Sequence, residues 1–275
     1  VNLLFVKGEK SRGDYPIGVR FHKVSGMFRA MYNNKLSEHF KTPEEAFCAY
    51  KEAKEAYIKD VALLIDAEES WMQDVADDLV TDMMRKYNKE KAIIFNTLQM
   101  YRWDRLDYLK KIHEEAKRDQ FFIGMKLVRG AYMEKENLRA QEMNYPTPIC
   151  ASKEASDENY DAAVAYMMEH LDRMSIFAGT HNELSTYKLM ELMEKKGVKS
   201  NDNRIWFGQL YGMSDNISYN LAENGFNVAK YLPFGPVKDV MPYLIRRAEE
   251  NTSVAGQTSR ELSMIKAERK RRKEK

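Results

Sequence analysis

The sequence predicts an α/β fold of βα-barrel type behind a small antiparallel module, and three observations carry that prediction. From Val61 onward six short apolar runs alternate with amphipathic stretches, and nearly every run ends in a polar residue; before residue 60 the grammar is that of short alternating strands. The 275 residues, 44% apolar and 31% charged, suffice for a sizeable core. Forty-four basic side chains nearly cancel 42 acidic ones, so overall charge points to no nucleic-acid partner.

Residues 1–60 read as one unit. Gly18 to Met31 alternates apolar and polar side chains, with Gly26 at a hairpin turn, and Leu36 to Phe40 supplies a third strand. Thr42-Pro43-Glu44-Glu45 then starts a helix, with Thr42 capping, Pro43 at the first helical position and acids in the first turn. Ala46, Phe47, Tyr50, Ala53, Ala56 and Tyr57 follow at helical spacing.

Residues 61–275 form the second unit, ending in a basic helix. Its apolar runs are 61–66, 92–99, 121–129, 175–182, 204–210 and 228–235. Between them, helical periodicity appears in Trp71, Val75, Leu79, Met83; in Leu106, Leu109, Ile112, Ala116; and in Tyr160, Val164, Met167, Leu171. It appears again in Tyr187, Met190, Met193, in Ile217, Leu221, and in Val237, Val240, Met241, Leu244. Strands alternating with helices imply a parallel sheet buried by those helices. The runs end in Asp66, Gln99, Arg129, His181, Gln209 and Tyr231, and carboxyl ends of parallel strands are where a βα barrel keeps its active site. An open doubly wound sheet is the alternative, without a Gly-x-Gly-x-x-Gly turn to support it.

Several motifs carry chemistry. Lys126-Leu-Val-Arg129-Gly130-Ala-Tyr132 sets two cations at a strand end beside a glycine, which suits an anionic or electron-accepting cofactor; ion-paired structural bases are the alternative. Thr180-His181-Asn182 ends a strand in three hydrogen-bonding side chains. Arg246 and Arg247 suit a small carboxylate held over a helix edge, or are simply solvated. No metal is expected, because the five histidines are scattered and Asp66-Ala-Glu-Glu69 has no second carboxylate motif beside it. The seventeen methionines read as packing, and the tail from Lys266 as a solvated basic face.

In series, Leu64-Ile-Asp-Ala-Glu-Glu, Phe95-Asn-Thr-Leu-Gln, Lys126-Leu-Val-Arg-Gly-Ala-Tyr, Thr180-His-Asn, Phe207-Gly-Gln-Leu-Tyr-Gly-Met, Lys230-Tyr-Leu-Pro-Phe-Gly-Pro and Tyr243-Leu-Ile-Arg-Arg resemble the proline dehydrogenases over about 61–270. The resemblance implies an incomplete (β/α)8 barrel, strands three to eight, because the family's first two strands, with a lysine that helps bind substrate, have no counterpart here. It implies FAD-dependent oxidation of L-proline to pyrroline-5-carboxylate, with an electron acceptor such as a membrane quinone. It assigns Asp66 and Lys126 to catalysis, with Lys126 standing where other members have arginine. Arg246, Arg247, Tyr231, Leu210 and Tyr132 are assigned to substrate. Ala67, Gln99, Lys126, Val128, Arg129, Gly130, Thr180 and His181 are assigned to the flavin.

Residues 1–60 resemble the DNA-binding module of APETALA-type plant factors, through Ile17-Gly-Val-Arg-Phe-His, Phe28-Arg-Ala and the Thr-Pro-Glu-Glu helix. That likeness implies DNA contacts by Arg20, His22, Lys23, Arg29 and Lys35, and an alternative function as a DNA-binding protein with an inert barrel. Cys48 and Cys150 have no metal or redox spacing, so free thiols in a reducing compartment, the cytoplasm, are expected. Neither a bilayer-spanning apolar stretch nor a signal peptide is read.

Overall fold

The computed structural model describes residues 19–22, 27–32, 35–36, 55–238, 240–241, 243–245 and 255–273. The chain divides into two compact units, Val1–Lys230 and Tyr231–Lys275.

In the first unit β1 (Val19–His22), β2 (Met27–Tyr32) and β3 (Lys35–Leu36) form an antiparallel sheet in that order. Arg20 is the register partner of Arg29, His22 of Met27 and Lys35 of Tyr32. The third strand is described at Lys35–Leu36, and the remainder of the expected strand to Phe40 lies outside the described residues. Lys23 and the expected Thr42 cap lie outside the described residues, as does most of the following helix.

A second sheet holds β4 (Leu63–Leu64), β5 (Ile94–Gln99), β6 (Ile123–Val128), β7 (Met174–Gly179), β8 (Ile205–Leu210) and β9 (Val228–Tyr231), in that spatial order. β4 through β8 pair in parallel. A doubly wound sheet reverses its strand order at a switch point, whereas a βα barrel adds each strand beside the last. The order here never reverses, which removes the doubly wound alternative.

The crossovers are α1 (Ser70–Tyr87), α2 (Arg105–Asp119), α3 (Met133–Met143) and α4 (Lys153–Glu169), followed by α5 (Glu183–Lys195) and α6 (Asp215–Glu223). All but α3 were legible as periodic apolar stripes. α3 buries only Glu136 and Ala140, too little apolar surface to show a stripe. Ser152 caps α4 by accepting from Ala155 N–H, and Asn182 caps α5 by accepting from Leu184 and Ser185 N–H.

The helix-facing side of the sheet is fully buried: Ile94, Leu98, Met125, Leu127, Ile176 and Phe207 pack with Met83, Met84, Met167, Met168 and Met193 from the helices. These methionines are core, as expected, whereas Met72, Met133, Met143 and Met241 are exposed. Asn88, wholly buried after α1, accepts from Ile93 and Ile94 N–H and donates to the Ile94 and Phe122 carbonyls, so one side chain aligns the starts of β5 and β6.

Two buried polar groups lie on the helix side of the sheet. Asp77 on α1 accepts from Arg105 (2.6 Å), Gln73 (2.8 Å) and Asn96 (2.8 Å), nearly out of contact with water. His113 on α2 is buried against Tyr166, whose hydroxyl is 2.7 Å from Nδ1, with His170 at 4.4 Å between ring centroids. Burial, then the charges of Lys117 and His170, pushes the His113 pKa below its ordinary value.

Arg105→Leu, which strands the Asp77 carboxylate, is expected to cost about 3–5 kcal/mol in urea unfolding. Because the folded state disfavours the His113 imidazolium, the unfolded state takes up more protons below pH 6.5 or so. Stability should hold above that pH and decline beneath it. His113→Gln should flatten that decline in melting temperatures measured from pH 7.5 to 5.5.

In the second unit the residues described between 237 and 245 are helical, as expected, and Arg246 and Arg247 lie outside the described residues. α7 (Ala255–Lys273) is the basic terminal helix, with Glu268 paired to Arg271 and Arg272.

Candidate active site

Period-2 alternation gives the second sheet a second face, and that face is only half covered. On β6, Met125 and Leu127 are buried while Lys126 and Val128 are partly open; on β7 the same holds for Ile176 and Ala178 against Phe177 and Gly179. On β8, Trp206 is 37% exposed between buried Ile205 and Phe207. Register places Thr97, Lys126, Phe177 and Trp206 in one row across four strands. A single ammonium thus stands in a row with two aromatic residues on a partly open parallel sheet.

Lys126 is ion-paired through Nζ with Oδ1 of Asp66, from the segment after β4, although β4 and β6 are separated by β5. Lys126 is mostly covered, with 15% of its side chain exposed, and Asp66 is the open partner. The Asp66 segment is fastened to β5 on both sides of the carboxylate. Thr97 Oγ1 donates to the Ile65 carbonyl at 2.7 Å, and Gln99 Nε2 donates to the Glu68 carbonyl at 2.7 Å. Ala67 is buried between these anchors. Tyr132 donates to Glu68 Oε2 at 3.2 Å.

One turn of strand beyond, Arg129 is fully engaged. Its Nε meets Asp157 of α4, Nη1 donates to Thr180 Oγ1 (2.8 Å), Nη2 donates to Ser185 Oγ (3.0 Å), and the guanidinium lies 4.6 Å from the Tyr160 ring centroid. Burial works against the Asp157 carboxylate, but Lys153 and Arg129 more than offset it and leave its pKa below the usual range. Ser185 in turn donates to Asp161, also held by Lys188. Gly130 follows with φ +132, and a Cβ there would lie 2.3 Å from the Tyr101 ring. Burial, then the Glu136 charge, drives the Tyr101 phenol upward out of its ordinary range.

At the β7 and β8 ends, Thr180 takes Arg129 and Asn182 N–H, and His181 Nδ1 lies 2.9 Å from Ser214 Oγ. Leu210 is half-buried at the end of β8. Asp66, Gln99, Lys126 and Tyr132 thus form one connected group, and Arg129, Gly130 and Thr180 a second that shares β6 and its loop with it. Tyr231 ends β9, 44% exposed, with its ring 5.5 Å from that of Tyr243. Among the described residues no group of histidine, cysteine and carboxylate side chains could hold a metal ion. Asp157, Asp161, Ser185 and Glu136 were not read from the sequence; the acids at 157 and 161, spaced one helical turn apart on α4, were the available signal.

The proline dehydrogenase family model matches residues 23–260. The chain belongs to the proline dehydrogenase family. It is 41% identical over 212 residues to the carbapenem antibiotics biosynthesis protein CarD of Pectobacterium carotovorum, covering 77% of this chain and 54% of that one. It is 40% identical over 223 residues to human mitochondrial proline dehydrogenase 1, covering 80% and 37%. Proline utilization A from Bdellovibrio bacteriovorus superposes with a TM-score of 0.69 at 24% identity, over 78% of this chain and 23% of that one, which shows the incomplete barrel fold. The chain spans about half the length, or less, of the curated relatives it matches. The family match begins at residue 23 and runs through β2 and β3, and a DNA-binding role for residues 1–60 gains no support from these comparisons. No helix among the described residues is long and apolar enough to cross a membrane.

Gly130→Ala, which requires φ +132 of an L side chain and drives a methyl into Tyr101, is expected to lose about 2–5 kcal/mol of stability in denaturant titration.

Proposed function

We propose that this chain carries the FAD-dependent oxidation of L-proline to pyrroline-5-carboxylate, with a membrane quinone as the class of electron acceptor. The observation that supports this most is the Lys126–Asp66 pair on the half-open face, in a chain of this family. The donor set fits such a cofactor. A mostly covered ammonium stands in an aromatic row, Gln99 ends the neighbouring strand β5, and Thr180 and His181 follow the end of β7. Those groups suit a flat, acceptor-rich and anionic group. FAD, when bound, supplies a two-electron acceptor for the hydride on the proline ring carbon next to nitrogen.

The chain's own residues bind and orient. Lys126 offers positive charge to stabilise the negative charge that an electron acceptor gains, and Asp66 fixes where that charge sits. Val128, Arg129 and Gly130 continue the cofactor-facing strand end, with Arg129 holding β6 to β7 and α5. By the family resemblance Tyr132, Leu210 and Tyr231 are assigned to the proline ring, and Arg246 with Arg247 to its carboxylate. The expected cytoplasmic location rests on the cysteines alone. Cys150 is a free thiol whose pKa burial raises, and the human relative's name places that protein in mitochondria.

Anaerobic L-proline should bleach the flavin absorbance of the FAD-loaded chain. Arg246→Ala and Arg247→Ala should each weaken half-saturation by proline about ten- to a hundredfold with FAD retained. Lys126→Ala should slow reduction about a hundredfold at saturating proline. Failure of wild type to bleach overturns the proposal, and equal loss of FAD in all three variants overturns the carboxylate clamp.

A further inference from the structure

The segment after β4 is tied across β5 to α3 by a run of contacts in matching order. Lys126 meets Asp66, Tyr132 meets Glu68, Lys135 meets Glu69 at 3.2 Å, and Glu136 meets Ser70. The last contact differs in kind. Glu136 is wholly buried, and its two oxygens accept from Ser70 N–H and Ser70 Oγ at 2.6 Å each. A buried carboxylate without hydrogen bonds is costly, so this pair is held far more firmly than the exposed Lys135–Glu69 pair. Ser70 opens α1, four residues after Asp66, and Gln73 within the same turn accepts from Glu68 N–H at 2.9 Å.

We propose that Glu136 is a positioning residue for Lys126. By clamping Ser70 it fixes the 66–70 segment over β5 and so fixes Asp66 against the Lys126 ammonium. This rests on the cofactor reading of Lys126 given above. Glu136 touches neither substrate nor cofactor and acts only through the segment. The hydrogen bonds rather than the charge do the positioning: in Glu136→Gln the amide oxygen still accepts from Ser70 N–H while the amide nitrogen donates to Ser70 Oγ.

Two measurements separate this role from mere structural support. In the ligand-free chain, amide hydrogen exchange at 68–70 should quicken at least tenfold in Glu136→Ala and stay within about twofold of wild type in Glu136→Gln. In the FAD-loaded chain, Glu136→Ala should move the flavin midpoint potential to more negative values. It should also lower kcat about tenfold with the proline KM within twofold, and Glu136→Gln should restore both. Ser70→Ala, which removes one of the two contacts, should give the same changes at smaller size and carries the test if Glu136→Ala does not fold. Unchanged exchange in Glu136→Ala and Ser70→Ala, or a midpoint that does not move while exchange quickens, overturns the positioning role. A wild-type chain that takes up no FAD overturns both the proposed function and the role of Glu136 toward it, whereas one that is bleached by proline with unchanged exchange in Glu136→Ala and Ser70→Ala overturns the positioning role alone.

Discussion

Arg129 is the interaction on which the carboxyl end of the sheet depends. A parallel sheet brings its strand ends out on one side, where backbone and side-chain polar groups lose their helical cover and must find partners. One guanidinium at the end of β6 reaches α4 through Asp157, β7 through Thr180 and α5 through Ser185, while its flat face rests on Tyr160. Planar, five-donor geometry makes this many-sided contact available to arginine and not to lysine. The division of labour along one strand follows: Arg129 ties β6 to β7, α4 and α5, whereas Lys126, three residues earlier on the half-open face, pairs with Asp66 across β5.

Most of the barrel portion could be read from the sequence because its physics is local. Buried strands show as β-branched runs, and helices such as α2, with Leu109, Ile112 and Ala116 inward, show a 3.6-residue stripe. What escaped was what depends on tertiary contact. α3 has no apolar stripe because its inward position is the carboxylate of Glu136, satisfied by a serine 66 residues away. The site residues drawn from strand ends fall where expected, since strand-end placement follows from topology alone. Their partners Asp157, Asp161 and Ser185 lie on helices, where an acid or serine reads as ordinary surface.

The half-open face has a physical consequence. In a closed barrel the interior is filled by layered side chains. Here Trp206 and Phe177 keep accessible surface on the face that bears Lys126, and β4 and β9 stand at the two edges of the sheet. A flat cofactor on this face would bury the aromatic row and neutralise the ammonium together, coupling cofactor binding to the stability of the sheet.

The central claim, that this face is a flavin site in its own right, is tested most directly by titrating FAD into the purified chain and following flavin fluorescence and Trp206 emission together. The account predicts one FAD per chain, saturable quenching of both signals, and loss of the shared signal in Trp206→Phe without loss of binding. Flavin fluorescence that stays that of free FAD at every protein concentration would contradict it.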